Sequence, residues 1–325
     1  MELNELIYTR LAKDKKITSL LAKYADGPAI FNSEFPSDQS DGWRDMEQYP
    51  RITYRYDTKA DPKRASSGTL HVAVFAHGDM LITEKIEKAV VNRFRNVVMK
   101  SEEEAPFSVS WARSDLFEVE GTGIVYKDIA FDILEFPDQI TASPDPVYAM
   151  NEFLHGLDGS LFLIGYDEIG DVYEPTDENP AIYVRAGALK KMQETYALVF
   201  VNVDLFIHVI APDADYRLRW VRKLYDYLFR HGEIKYWEGQ EVHPMLLEDI
   251  AANNTADYLR EGQLRVRGMY TMLSHRVTRS YYPSTPGPGQ SDPAPAGLYR
   301  IEDPAVPLNR VIYNDTFEVG GEGNG

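Results

Sequence analysis

Residues Thr69–Val98 read TLHVAVFAHGDMLITEKIEKAVVNRFRNVV, a strand pattern followed directly by a helix pattern. Leu70, Val72 and Val74 recur at the period of two that buries one face of a β-sheet. After His77-Gly78, Asp79 offers an acceptor to the free amides of a following helix, whose apolar residues recur at steps of three and four: Leu81, Ile82, Ile86, Ala89, Val90 and Phe94. The stretch therefore predicts a strand that leads into an amphipathic helix.

The same unit recurs in the second half of the chain. Leu205, Ile207 and Val209 take the places of the three strand residues, and an alignment without a gap continues through the helix. That alignment pairs further positions: Ala211 with Ala76, Val221 with Ile86, and Phe229-Arg230 with Phe94-Arg95. Since chance seldom reproduces both periods in phase, the sequence predicts two tandem copies of one α+β fold, each a small mixed or antiparallel sheet packed by helices.

Length and composition predict three segments along the chain. At 325 residues the chain exceeds the usual size of a single-core domain. The first copy is assigned to residues 1–141 and the second, diverged copy to 142–278, with the turn-rich TASPDP marking the boundary. Residues 279–325 form a Pro- and Gly-rich linker and an extended C-terminal arm. Within that arm, Arg310–Val319 predicts one more strand, which we expect to dock on an exposed sheet edge.

Two further segments of the second copy resemble segments of the first. Glu233–Trp237 is matched with Phe107–Trp111, because both are alternating runs that end in tryptophan. Leu264–Leu273, which follows Glu261-Gly262, is matched with the strand that follows Glu120-Gly121. The order of elements is thus expected to be the same in both copies.

Composition restricts the functional classes. The chain has no cysteine, which excludes disulfides, thiolate metal sites and a cysteine nucleophile. The N-terminal residues have no apolar core of signal-peptide length, and no apolar run is long enough to span a bilayer, so we expect neither export by that route nor membrane insertion. A net charge of -17 opposes tight wrapping around nucleic acid and is typical of a solvated acidic surface.

The sequence offers few candidates for chemistry. No nucleotide-binding, hydrolase or metalloprotease motif is present, and we predict no catalytic, cofactor-binding or metal-binding residue and no cofactor. His155 and Asp158 have a spacing that suits one metal ion, but two ligands do not make a site. His71 and His208 lie on the central strands at positions that do not correspond, since Phe206 is the counterpart of His71. The 21 tyrosines suit strand and interface positions better than a carbohydrate or base-stacking surface.

The first copy resembles the tail terminator family of tailed bacteriophages. The resemblance covers residues 1 to about 137 and is carried by four segments: NELIYTRLAKDKKITSLLA, YPRITYRYD, HVAVFAHGDMLITEKIEKAVVNRFR and GIVYKDIAFDILE. It implies a non-enzymatic virion protein that forms a homo-oligomeric ring, generally sixfold, which caps the tail tube and joins the tail to the head connector or neck protein. Because this chain is double-length, the sequence leaves two ring compositions open. The ring could contain six chains, with the second copies forming a second tier, or three chains that supply six modules.

The resemblance also implies partners and a location. The ring would contact the tail tube, and in a contractile tail the sheath, while DNA passes through the lumen without specific binding. The protein would assemble in the host cytoplasm and end in the virion tail or neck. The alternative is another virion component built on the same module, such as a neck or collar protein, a tube protein or a baseplate adaptor. A hydrolase or nuclease would need convergent acidic residues around a divalent ion, and the sequence shows no such spacing.

Overall fold

The computed structural model describes residues 2–44, 47–58, 67–102, 105–137, 144–195, 197–238, 241–253 and 262–273. The C-terminal arm, with the strand predicted at Arg310–Val319, lies outside the described residues, as do the domain boundaries predicted near residues 142 and 278. Among the residues that are described, no helix combines the length and the apolar character needed to cross a bilayer.

The described chain forms two modules that share a core order of helix, short edge strand, two strands, helix and three strands, with small additional elements in each. The first module comprises α1 (Leu3–Ala12), α2 (Lys15–Thr18), β1 (Lys23–Tyr24), β2 (Gly27–Pro28), β3 (Ile30–Asn32), β4 (Arg51–Thr58), β5 (Gly68–His77), α3 (Met80–Phe94), β6 (Val97–Met99), β7 (Phe107–Val119) and β8 (Ile124–Glu135). The second module comprises α4 (Pro146–Leu157), β9 (Phe162–Ile164), β10 (Val172–Tyr173), β11 (Ala181–Glu194), β12 (Leu198–Ile210), α5 (Ala214–His231), β13 (Glu233–Glu238), β14 (Glu241–Ala252) and β15 (Leu264–Leu273).

The strand order confirms that the fold is duplicated. The strands of the first module lie in the order β6-β7-β8-β5-β4-β3, and those of the second in the order β13-β14-β15-β12-β11-β9. In each sheet the short strand at one edge pairs in parallel with its neighbour, β3 with β4 and β9 with β11, whereas all other pairs are antiparallel. The architecture is therefore α+β, with two tandem copies of one mixed sheet that is packed by helices.

The central strand and helix form as the sequence predicts. Exposure alternates along β5, where Leu70, Val72 and Val74 are buried against the helices. Asp79 caps α3 by accepting hydrogen bonds from the backbone amides of residues 81 and 82 in the first turn. Ile86, Val90 and Phe94 are fully buried, but Leu81, which the pattern included in the apolar face, is 68% exposed at the start of the helix.

The gapless alignment of the two central units is wrong beyond the strand. Four residues separate Val74 from the cap Asp79, whereas only three separate Val209 from the corresponding cap Asp213. The second helix therefore begins one position earlier relative to its strand. As a result Leu228 is the residue that is fully buried near the end of α5, while Phe229, which the alignment paired with buried Phe94, is 67% exposed.

The match of Glu233–Trp237 with Phe107–Trp111 is also wrong. Glu233–Trp237 belongs to β13, the edge strand that directly follows the helix, and its counterpart in the first module is β6. Phe107–Trp111 opens β7, whose counterpart is β14. The two segments share an alternating pattern and a terminal tryptophan, but such segments look alike in sequence when the partner strand is unknown. The other match is confirmed, since β15 occupies the place of β8.

Candidate functional site

The two modules are joined by a strand that crosses from one to the other. Strand β10 belongs to the second module, yet it pairs antiparallel with the edge strand β6 of the first sheet. Val172 lies opposite Met99, and Tyr173 lies opposite Val98. The amide of Lys100 extends the pairing by donating to the carbonyl of Asp171 at 3.0 Å. Because β10 satisfies backbone groups that an edge strand would otherwise expose, it fixes the first module to the second.

A separate buried cluster fills the space between the modules. Phe136 packs against Tyr183 with ring centroids 4.9 Å apart, and the Tyr183 hydroxyl donates to the carbonyl of Pro137 at 2.9 Å. The cluster takes three residues from the first module and four from the second: Val98, Leu134 and Phe136, and Ile164, Ala181, Tyr183 and Ile210. All are at most 8% exposed. We refer to this cluster as the junction core.

A buried arginine adds a polar contact to the junction. The Arg10 guanidinium donates to the carbonyl of Arg93 at 2.8 Å and to the carboxylate of Glu174, from the second module, at 2.9 Å. Arg93 also donates to Glu174, at 3.1 Å. Burial lowers the pKa of Arg10, and the nearby charge of Arg93 lowers it further. Glu174 acts in the opposite direction, so the second module stabilises a charge that the first module buries.

A row of aromatic rings crosses the face of the first sheet that is turned away from the helices. Phe117 stacks on Tyr126 at 4.9 Å, Tyr126 stacks on Phe75 at 5.1 Å, and Phe75 contacts Phe35 edge to face at 5.4 Å. Phe117 and Phe35 are exposed and the two rings between them are partly exposed. We call these four residues the aromatic row. A contiguous apolar surface of this kind typically marks an interaction site.

The outer face of the second sheet carries its own apolar patch. Trp237 on β13 lies opposite Val242 on β14, and Leu246 lies further along β14, opposite Met269 on β15. The exposed fractions of Trp237, Val242 and Leu246 lie between 42% and 47%. A cleft of about 680 Å³ adjoins this patch and shares Trp237 and Val242 with it. The second module therefore presents an unburied apolar surface at the same end of its sheet as the edge strand β13.

The structure places the two strand histidines in different surroundings. His71 lies on the outer face of the first sheet, where its Nδ1 is 3.0 Å from the Asp128 carboxylate. His208 is buried in the second sheet, where Arg185 donates to its Nε2 at 3.1 Å. The counterpart of His71 is Phe206, which packs under the same arginine. The duplicated fold therefore does not repeat a histidine site.

His155 and Asp158, whose spacing alone does not make a metal site, have separate partners in the structure. The ring of His155 lies 5.6 Å from that of Tyr166, whereas the Asp158 carboxylate accepts hydrogen bonds from Lys223 at 2.7 Å and from Ser160. The hydrogen bond from Lys223 is the main reason why the pKa of Asp158 falls to about 2. In the described part of the chain, no three histidine, aspartate or glutamate residues gather as metal ligands. Asp158 instead ties the end of α4 to α5.

We expect Asp158→Asn to lower the free energy of unfolding at pH 7 by about 1 kcal/mol or less, because the ion pair is partly exposed. The folded-state pKa of Asp158 lies below its ordinary value, so the ionised group stabilises the fold above that ordinary pKa. The contribution is lost as the pH falls through about 2. Urea unfolding of both proteins between pH 7 and pH 2 tests this. A difference in stability that persists unchanged at pH 2 would contradict the assignment.

Two further acidic residues lie at the start of α5 and stabilise the first turn of that helix. Asp213 caps α5 as Asp79 caps α3. Its carboxylate accepts two hydrogen bonds from backbone amides, one of which is the amide of Asp215. Both fit the positive end of a helix dipole. Two residues of the acidic turn 101–105 lie outside the described residues.

The sequence analysis did not predict the aromatic row or the crossing strand β10. The signal for the aromatic row was present, since Phe75 and Tyr126 are aromatic at positions where the alternation calls for polar residues. The crossing strand β10 gave little signal, because only two residues of it form pairs. Comparison of the chain with models of protein families, with curated proteins and with solved structures finds no match to any of the three.

Proposed function

We propose that this protein is a structural virion protein of the tail terminator kind, which forms a ring that caps a phage tail tube and joins the tail to the head connector. The observation that carries the proposal is the lateral contact between the two modules. They bind each other through sheet surfaces and an added strand, and the junction core is built from aliphatic and aromatic side chains.

The remaining apolar surface supports the same proposal. The aromatic row and the patch around Leu246 are solvent-exposed on a chain whose modules already use comparable surfaces to bind each other. Exposed apolar patches of this kind are typical of proteins that assemble. A net charge of -17 also suits a ring through which DNA passes, since like charge repels phosphate over about 10 Å at moderate salt.

The proposal predicts closed rings and capped tubes. We expect mass photometry and negative-stain imaging of the purified protein to show rings of three or six chains, and we expect the rings to bind one end of tail tubes that lack a terminator. Bovine serum albumin at the same concentration serves as the control for non-specific binding to tubes. A protein that stays monomeric at all concentrations and never binds tube ends would overturn the proposal.

A further inference from the structure

We infer that chains associate head to tail by repeating, between chains, the packing of sheet surfaces that joins the two modules within one chain. The second module of one chain would bind the first module of the next. The inference rests on the proposed ring function and specifies which surfaces close the ring. It depends on the duplication, because each surface buried in the junction core has a counterpart in the other module that is not buried there.

The first pair of corresponding surfaces lies on the three strands at one end of each sheet, β6, β7 and β8 in the first module and β13, β14 and β15 in the second. In the first module Val98, Ser108 and Leu134 lie side by side on β6, β7 and β8, and all three are buried. Val98 and Leu134 belong to the junction core. The strand pairing aligns this row with Glu233, Leu246 and Met269 on β13, β14 and β15.

This second row is free of the junction. Glu233 and Leu246 are exposed and Met269 is partly exposed. The register supports the alignment independently, since Leu134 lies three positions after Phe131, the partner of Leu70, and Met269 lies three positions after Val266, the partner of Leu205. We call Glu233, Leu246 and Met269, together with Trp237, the β13 surface.

The second pair of counterparts comes from the other half of each sheet. In the second module Ala181 on β11 pairs with Ile210 on β12, and both are buried in the junction core. The corresponding pair in the first module is Arg51 on β4 and Phe75 on β5. Arg51 is buried beneath Phe35 of its own module, whereas Phe75 is partly exposed and belongs to the aromatic row. The part of this surface that has no partner is therefore the aromatic row.

The two unburied surfaces are complementary in kind. The β13 surface offers Leu246, Met269 and Trp237, and the aromatic row offers flat rings that pack well against such side chains. A contact between two different surfaces of identical chains is head to tail, and it gives a closed ring when the rotation between successive modules closes. Since each chain supplies two modules, the sixfold arrangement implied by the family resemblance would need three chains.

The crossing strand β10 is not part of the repeated contact. The segment of the first module that corresponds to β10 lies between β3 and β4, and it packs on its own module. Trp43 from this segment is buried beside Tyr24 and Phe31, and Phe35 covers Arg51 with its ring 3.5 Å from the guanidinium carbon. The contact between chains would therefore use the sheet surfaces without strand addition, which suits an interface that forms after the chain has folded.

Cross-linking through introduced cysteines tests the contact directly, because the chain has no cysteine of its own. We would co-express two single variants, Phe75→Cys and Leu246→Cys, one of them with a mass tag, and treat the purified protein with a short bis-maleimide. The expected product is a mixed dimer that joins the tagged and untagged chains. As a control, Leu81→Cys replaces Phe75→Cys, since Leu81 is exposed on α3, which packs on the opposite face of the first sheet from the aromatic row.

The outcomes separate the inference from the proposed function. Mixed dimers well above the Leu81→Cys control support the head-to-tail contact. Rings that form normally but give no more mixed dimer than this control would overturn the inference and leave the ring function standing. A protein that forms no rings at any concentration would overturn both.

A charge substitution provides a second test. We expect Leu246→Asp to weaken association of the chains at least about tenfold, because it places a carboxylate in an apolar contact. Leu81→Asp adds the same charge at a more exposed position outside both surfaces and is expected to leave association unchanged. Circular dichroism would verify that both variants are folded. Equal association of the two variants would contradict the assignment of the β13 surface.

Discussion

Leu228→Ala is expected to lower the free energy of unfolding by about 2–5 kcal/mol. Leu228 is fully buried among the apolar residues of the second module, on the face of α5 that also carries Val221 and Leu224. Truncation would remove the transfer free energy of the side chain and leave a cavity that the close-packed surroundings fill only in part. Urea unfolding followed by circular dichroism measures the effect.

The neighbouring residue provides a matched control. Phe229 is the larger side chain, but it is 67% exposed and contacts Tyr225 on the helix surface, with ring centroids 6.0 Å apart. We expect Phe229→Ala to change stability by no more than about 0.5 kcal/mol. If the gapless alignment with Phe94 described the fold, Phe229 would be the buried residue and the order of the two effects would be reversed. The pair of variants therefore tests the one-residue shift of α5.

This shift shows what the sequence alone determines and what it does not. The alternation of Leu205, Ile207 and Val209 fixes one face of a strand, and the steps of three and four fix one face of a helix. The two patterns do not fix their phase relative to each other, which depends on the turn between them. Pro212 stands in the shorter turn of the second module, where the first has His77-Gly78, and no periodicity records the missing residue.

The contacts between modules were still harder to infer. Phe136 directly follows the last residue of β8, and Tyr183 lies on the alternating strand β11. Nothing in the sequence around either residue indicates that it contacts the other module. Their contact depends on how the modules are oriented, which is a property of distant chain segments and not of local pattern. The duplication could be predicted because it repeats local patterns, whereas the surfaces that the modules bury could not.

We expect Phe136→Ala to cost about 3–5 kcal/mol and to weaken both modules together. Phe136 is 1% exposed in the junction core, where it packs against Tyr183 of the second module. Opening either module alone must break this contact, so the contact contributes to the local stability of each. Hydrogen exchange measured by mass spectrometry should therefore show faster exchange in α3 and β5 of the first module and also in α5 and β12 of the second.

Phe131→Ala is the control that removes a similar side chain from one module only. Phe131 is fully buried in the core of the first module, beside Phe94. We expect this variant to lose a comparable amount of stability, with faster exchange concentrated in α3 and β5. If Phe136→Ala left exchange in α5 and β12 unchanged, the junction core would not couple the modules. The contact within the chain would then lose its value as a template for the contact between chains, because a surface that stabilises neither neighbour has no reason to be repeated around a ring.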